Sequence, residues 1–167
     1  MTSHQTLHTA TVRRVVKANR ARVFNAFSNA SALKQWFSPS ADISIEILQF
    51  NFVVGGKYRF RYAMPDGSNP VLGGTYHAIK PPEQLVFTWV WEAPDVHAEI
   101  PTQVCVELFE KGDNTEIVLT HRQIPSQEMA TRHAAGWEAT FDQLEKSIAD
   151  KEHPRNREKS AKDNKEA

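Results

Sequence analysis

The stretch Glu128–Ile148, EMATRHAAGWEATFDQLEKSI, decides the fold. Ala130, Ala134, Trp137, Phe141, Leu144 and Ile148 follow one another at spacings of three and four, which puts them on one stripe of a long helix. Upstream, Leu85, Phe87, Trp89 and Trp91 alternate with Val86, Thr88 and Val90, the pattern of a strand with one aromatic-rich face. A helix with an aromatic stripe laid over an aromatic sheet face makes either a packed core or a lined cavity. Which of the two it makes decides whether the protein carries a ligand.

Outward from this pair, the chain is punctuated by turn and cap signals. Residues from about Thr9 to Val16 read as a strand. Asn19 can cap a short helix with Val23, Phe24 and Phe27 on one face, and Asn29 a second with Leu33, Trp36 and Phe37 inward, stopped at Ser38-Pro39. Ile43, Ile45 and Ile47 alternate as a strand, and Gly55-Gly56 opens another with Tyr58, Phe60 and Tyr62 on one face. Pro65-Asp66-Gly67, Pro81-Pro82 and Gly112-Asp113-Asn114 are turns between further strands at about 71–79, 85–92, 102–109 and 116–122. Hairpin-like spacing implies an antiparallel sheet, because parallel neighbours need a crossover between them. Ser126 is the expected cap of the long helix, with Glu128 favourable in its first turn.

Composition narrows the function. The chain has 167 residues, with Lys plus Arg and Asp plus Glu both at 20. That balance argues against nucleic acid, whose phosphates call for a basic excess or stripe. A single cysteine, Cys105, rules out a disulfide framework and a multi-thiolate metal site, and points to a reducing compartment. Neither a secretory signal nor a membrane span is visible, so a cytoplasmic location is expected. Residues 151–167 hold no Val, Ile, Leu, Phe, Tyr or Trp and mix both charges; a solvated, disordered tail is expected there. The domain is therefore drawn over 9–150, after a short N-terminal tail at 1–8.

The candidate site is the meeting of the two aromatic faces. Tyr58, Phe60, Tyr62, Phe87, Trp89, Trp91, Trp137 and Phe141, with Phe27 and Trp36 from the short helices, would converge between sheet and helix. Buried Tyr and Trp need partners for their polar tips, and an amphipathic lining suits a planar or lipid-like ligand. Of the seven histidines, His4 and His8 belong to the N-terminal tail and His97 to a loop from Ala93 to Pro101. His77 shares a strand face with Thr75 and Ile79; His121 shares one with Ile117 and Leu119, assigned inward. His133 lies one turn into the long helix. His121 and His133 could offer a donor and an acceptor to a ligand's polar group.

No nucleophile–base–acid set can be placed, and the histidine spacings give no metal pair, so no cofactor is expected. Gly55-Gly56 reads as a turn, and Gly136, which costs the helix about 1 kcal/mol, as a place of close helix–sheet contact.

These blocks also resemble a family. Val23–Phe27 with Leu33–Phe37 is similar to its N-terminal helix pair, and Gly55–Phe60 to its Gly-Gly-x-aromatic strand start, with Pro65-Asp66-Gly67 as the following turn. Gly74-Thr75-Tyr76 through Pro81–Trp89, then Leu119-Thr120-His121 and His133-x-x-Gly136-Trp137, complete the likeness. The family is that of the activator of heat-shock protein 90 ATPase homologue-like domains, in the START-like (SRPBCC, Bet v 1-like) superfamily, and the match runs from about Thr11 to Ile148. The resemblance implies an α+β helix-grip fold: a curved antiparallel sheet of six or seven strands around a long C-terminal helix, with two short helices between the first two strands. The fold hosts carriers, enzymes and co-chaperone modules, and the aromatic lining points among these to a binder of a small hydrophobic or aromatic molecule. The alternatives are a co-chaperone-like interaction module with a chaperone partner, and an enzyme using His121 or His133 as acid-base group. A homodimer stays open.

Overall fold

The computed structural model describes residues 6–152. Seven strands and three helices follow in the order β1 (His8–Val16), α1 (Arg20–Ser28), α2 (Ala30–Trp36), β2 (Ser44–Phe50), β3 (Lys57–Ala63), β4 (Val71–Lys80), β5 (Gln84–Trp91), β6 (Thr102–Lys111), β7 (Asn114–Ile124) and α3 (Gln127–Glu152). All neighbours in the sheet are antiparallel, in the spatial order β1-β7-β6-β5-β4-β3-β2. Only β1 leaves sequence order, crossing over to pair with β7 and so bringing the N-terminal strand beside α3. This is the helix-grip arrangement.

The caps act as their side chains dictate. Asn19 Oδ1 accepts from the Arg22 amide at 2.9 Å and Asn29 Oδ1 from the Ala32 amide at 3.0 Å, each satisfying a donor that the helix start leaves open. Ser126 Oγ does the same for Met129 at the start of α3. At the entry to β3, Gly55 has φ +85°, and a side chain on Gly56 would run into the Asn51 carbonyl, so this turn tolerates neither residue being replaced.

Strand alternation sets the faces. In β3, Tyr58, Phe60 and Tyr62 are buried between exposed Lys57, Arg59, Arg61 and Ala63. In β6, Val104, Val106 and Leu108 face inward, leaving Cys105 half-buried on the other side, where Gln84 Nε2 lies 3.6 Å from its sulfur. The outer face carries cross-strand pairs, Arg59–Glu92 at 2.7 Å and Arg61–Glu46 at 2.9 Å. The helix stripe is where the spacing places it: Trp137, Phe141, Leu144 and Ile148 are buried, with Met129 and Ala130 at its start. The backbone of α3 packs on β1, β7 and α2. Arg14 of β1 reaches across to Glu138 and Asp142, both at 2.9 Å, and fastens the helix to the sheet edge.

Two boundaries differ from expectation. His8 pairs with Ile124 and begins β1 instead of ending a tail, and α3 continues through residues 151–152. The charged stretch beyond, like His4, lies outside the described residues. Among the described residues no helix is long and apolar enough to cross a membrane.

Candidate functional site

Between the first half of α3 and the ends of β3 and β5 lies a partly open cleft of about 390 Å³. Its helix wall is Arg132, His133, Gly136, Trp137 and Thr140. The sheet wall is Trp89 and Trp91 of β5 with Tyr62 of β3. Met64 and Pro70 of the β3–β4 turn and Pro39 after α2 close one side; Asp95, Val96 and His97 of the β5–β6 loop close the other. The volume falls within the range of about 300–1,000 Å³ usual for small-molecule sites.

The remaining residues of the aromatic face are core. Phe27, Tyr58, Phe60 and Phe87 surround a space of only about 10 Å³, with room for at most one water. Trp36 and Phe141 are fully buried in packing. Of the residues expected to line a cavity, then, Tyr62, Trp89, Trp91, His133 and Trp137 do so, whereas Phe27, Trp36, Tyr58, Phe60, Phe87 and Phe141 fill space. His77 is exposed on the outer face, because the even-numbered Tyr76 takes the inward place on β4. Two of the polar tips that seemed to ask for a ligand find partners within the core instead. Trp36 Nε1 donates to the Ala26 carbonyl at 3.0 Å and the Tyr58 hydroxyl to the Thr88 carbonyl at 2.6 Å.

The histidines are likewise engaged. His133 Nδ1 donates to the Met129 carbonyl at 2.8 Å, which leaves Nε2 to accept from Trp91 Nε1 at 3.2 Å. His121 Nδ1 accepts from Trp137 Nε1 at 3.1 Å, so its Nε2 carries the proton and donates to Thr102 Oγ1 at 2.7 Å; that hydroxyl in turn donates to the Trp89 carbonyl. In both rings one lone pair receives an indole N–H, and protonation there would set two donors against each other. His121 is fully buried and lies behind Trp89 and Trp137, not in the cleft. Burial pushes its pKa down to about 3, with His133, 5.1 Å away ring to ring, adding to the effect. Burial also lowers that of His133. Neither ring offers a ligand the free donor and acceptor expected of it.

Two other polar tips on residues of the lining are left without a partner. Trp89 Nε1 and His97 Nε2 are buried and have no hydrogen-bond partner. The Tyr62 side chain lines the same cleft, and burial raises its hydroxyl pKa, so it stays protonated. His97 was beyond sequence reasoning because a loop carries it. It is placed by the Asp95 carboxylate accepting from its amide at 2.8 Å, which turns the imidazole toward His133, 5.6 Å away. Gly136 also departs from expectation: a Cβ there would meet no atom within 4 Å, so it opens the cleft instead of permitting close contact. Among the described residues, no group of three His, Cys, Asp or Glu could hold a metal ion.

With this geometry in view, the relatives can be compared. The family model described as Activator of Hsp90 ATPase homolog 1-like protein matches residues 17–149. The chain belongs to this family. Comparison with curated proteins gives no match. Among solved structures, a protein from Chromobacterium violaceum is 24% identical at a TM-score of 0.74, covering 82% of this chain and 94% of that one. The AHSA1 protein from Silicibacter pomeroyi is 22% identical at 0.75, covering 85% and 98%. The solution structure of a protein from Arthrobacter aurescens is 17% identical at 0.76, covering 85% and 86%. At these identities the likeness is one of fold, and it agrees with the helix-grip architecture. Membership of the Activator of Hsp90 ATPase homolog 1-like family, within the START-like group, supports a ligand-binding domain in general.

Proposed function

We propose that the protein binds a small, uncharged hydrophobic or aromatic molecule in the cleft between α3 and the ends of β3 and β5. The observation that carries this is the cleft itself: about 390 Å³ walled by Trp89, Trp91, Trp137, Tyr62 and Met64, whereas Phe27, Tyr58, Phe60 and Phe87 on the same inner face are close-packed. A space of that size lined by tryptophans forgoes packing that the rest of the core obtains, and an apolar guest would restore it. The orphaned Trp89 Nε1–H favours a guest with a hydrogen-bond acceptor such as a carbonyl or ether oxygen. The charged residues of the lining are two, half-buried Asp95 and exposed Arg132, the latter 3.3 Å from Glu128. An ionised guest would lose its hydration without gaining a buried counter-charge.

Acid-base catalysis by His121 or His133 has little support, since each ring nitrogen already has a protein partner. The test is titration with the neutral dye N-phenyl-1-naphthylamine. A guest of its size should gain about 6–8 kcal/mol, a Kd on the order of 10 μM, with dye emission rising and tryptophan emission falling together. Linear, unsaturable dye response would refute the reading and leave the interaction module as the better account.

A further inference from the structure

Gly136 lies near the middle of α3, on the face that looks into the cleft. A glycine in a helix interior weakens the helix, so its presence asks for a reason. Three are available: a positive φ, a neighbour too close for a Cβ, or a space that must stay empty. The backbone at Gly136 is ordinary helix, which removes the first. A Cβ would meet nothing within 4 Å, which removes the second. The third is left, and the surroundings agree with it. Arg132, His133, Trp137 and Thr140 all put side chains on the cleft wall around this position, and Gly136 alone leaves bare backbone. Its carbonyl accepts from Thr140 Oγ1 at 2.7 Å, so the proton of that hydroxyl is already engaged within the helix.

We propose that Gly136 sets the depth of the cleft, and hence the size of molecule it admits, with an apolar part of the guest resting on the helix backbone at this residue. The proposal rests on the ligand-binding reading of the cleft and adds a determinant of size selection to it. It also makes a demand that a purely structural glycine would not meet: substitution should strengthen the fold while weakening binding.

The experiment uses the full chain with Gly136→Ala and Gly136→Leu, and Ala135→Leu on the exposed helix face as control. Binding of N-phenyl-1-naphthylamine and of the smaller indole is measured by calorimetry, alongside the melting midpoint. Gly136→Ala should raise the midpoint by about 2 °C. It should also weaken the large probe about tenfold while leaving indole within about twofold, the cost expected when one methyl group intrudes on a fitted space. Gly136→Leu should abolish binding of the large probe, and Ala135→Leu should change neither affinity. A lower midpoint for Gly136→Ala would show that the fold, not the cleft, requires the glycine, and would overturn the proposal even if Gly136→Leu failed to fold. Unchanged affinities in the variants would overturn it while leaving the cleft a binding site. Failure of the wild-type chain to bind either probe would overturn both.

Discussion

Acid should destabilise this protein chiefly through His121, before its carboxylates are much involved. The folded chain holds His121 neutral with a pKa of about 3, while the unfolded chain has the ordinary value of about 6.5. Above pH 6.5 both states are neutral at this site and it contributes no pH dependence. As pH falls below 6.5 the unfolded chain takes up a proton that the folded one refuses. Stability is then lost at about 1.4 kcal/mol per pH unit, levelling off near the folded pKa. At pH 4.5 the loss from His121 alone is about 2–3 kcal/mol, a large part of the 5–15 kcal/mol that holds a typical domain together. His133, also depressed by burial, acts with the same sign. Carboxylates whose pKa lies below normal, such as Glu92 beside Arg59, contribute stability that disappears only at lower pH, as pH falls through their folded values. From pH 6.5 down to about 5 the depressed histidines therefore dominate the loss.

Urea denaturation at pH 7.5, 6.5, 5.5 and 4.5 reads the loss directly. His121→Gln should be less stable than wild type at pH 7.5, having disturbed the bonds to Trp137 and Thr102. Its stability should nevertheless fall less steeply from pH 6.5 to 4.5, by about the 2–3 kcal/mol assigned to His121. Identical slopes would refute the reasoning. So would an imidazole resonance of His121 that titrates near pH 6.5 in the folded protein, since that would mean the ring can be charged without breaking its indole bond.

Three further outcomes follow from the packing. Trp137→Ala removes a buried ring and leaves His121 Nδ1 without its donor; it should cost about 3–5 kcal/mol in denaturant titration, whereas Lys146→Ala on the exposed side of the same helix should be nearly neutral. Arg14→Ala should cost about 1 kcal/mol by loosening α3 from β1, and the cost should shrink in 1 M salt because the carboxylates of Glu138 and Asp142 are half-exposed. Deleting residues 153–167, which contain no large apolar side chain, should move the melting midpoint by no more than about 2 °C.

The fold was readable because periodicity reports faces, and faces determine how layers stack. The three- and four-residue spacing from Ala130 to Ile148 and the alternation through Tyr58, Phe60 and Tyr62 each name the buried side without reference to anything distant. The site was less readable because a cleft depends on how far two faces stand apart, and alternation carries no information about that separation. Phe87 and Trp89 occupy equivalent inward positions on β5, yet the first borders a space of about 10 Å³ and the second one of about 390 Å³. The backbone of α3 packs on β1, β7 and α2 and meets the far end of β5 through the side chains of His133 and Trp137, beside the cleft. Polar tips were misleading for a related reason. Trp91 and His133 are 42 positions apart, and Trp137 and His121 are 16 apart, so no local pattern announces that each indole has an imidazole waiting for it. An unpaired tip, by contrast, can be recognised only after every other partner has been assigned. That makes Trp89 the informative tryptophan: its neighbours are satisfied by the fold, and its own N–H is the one for which the described residues supply no acceptor.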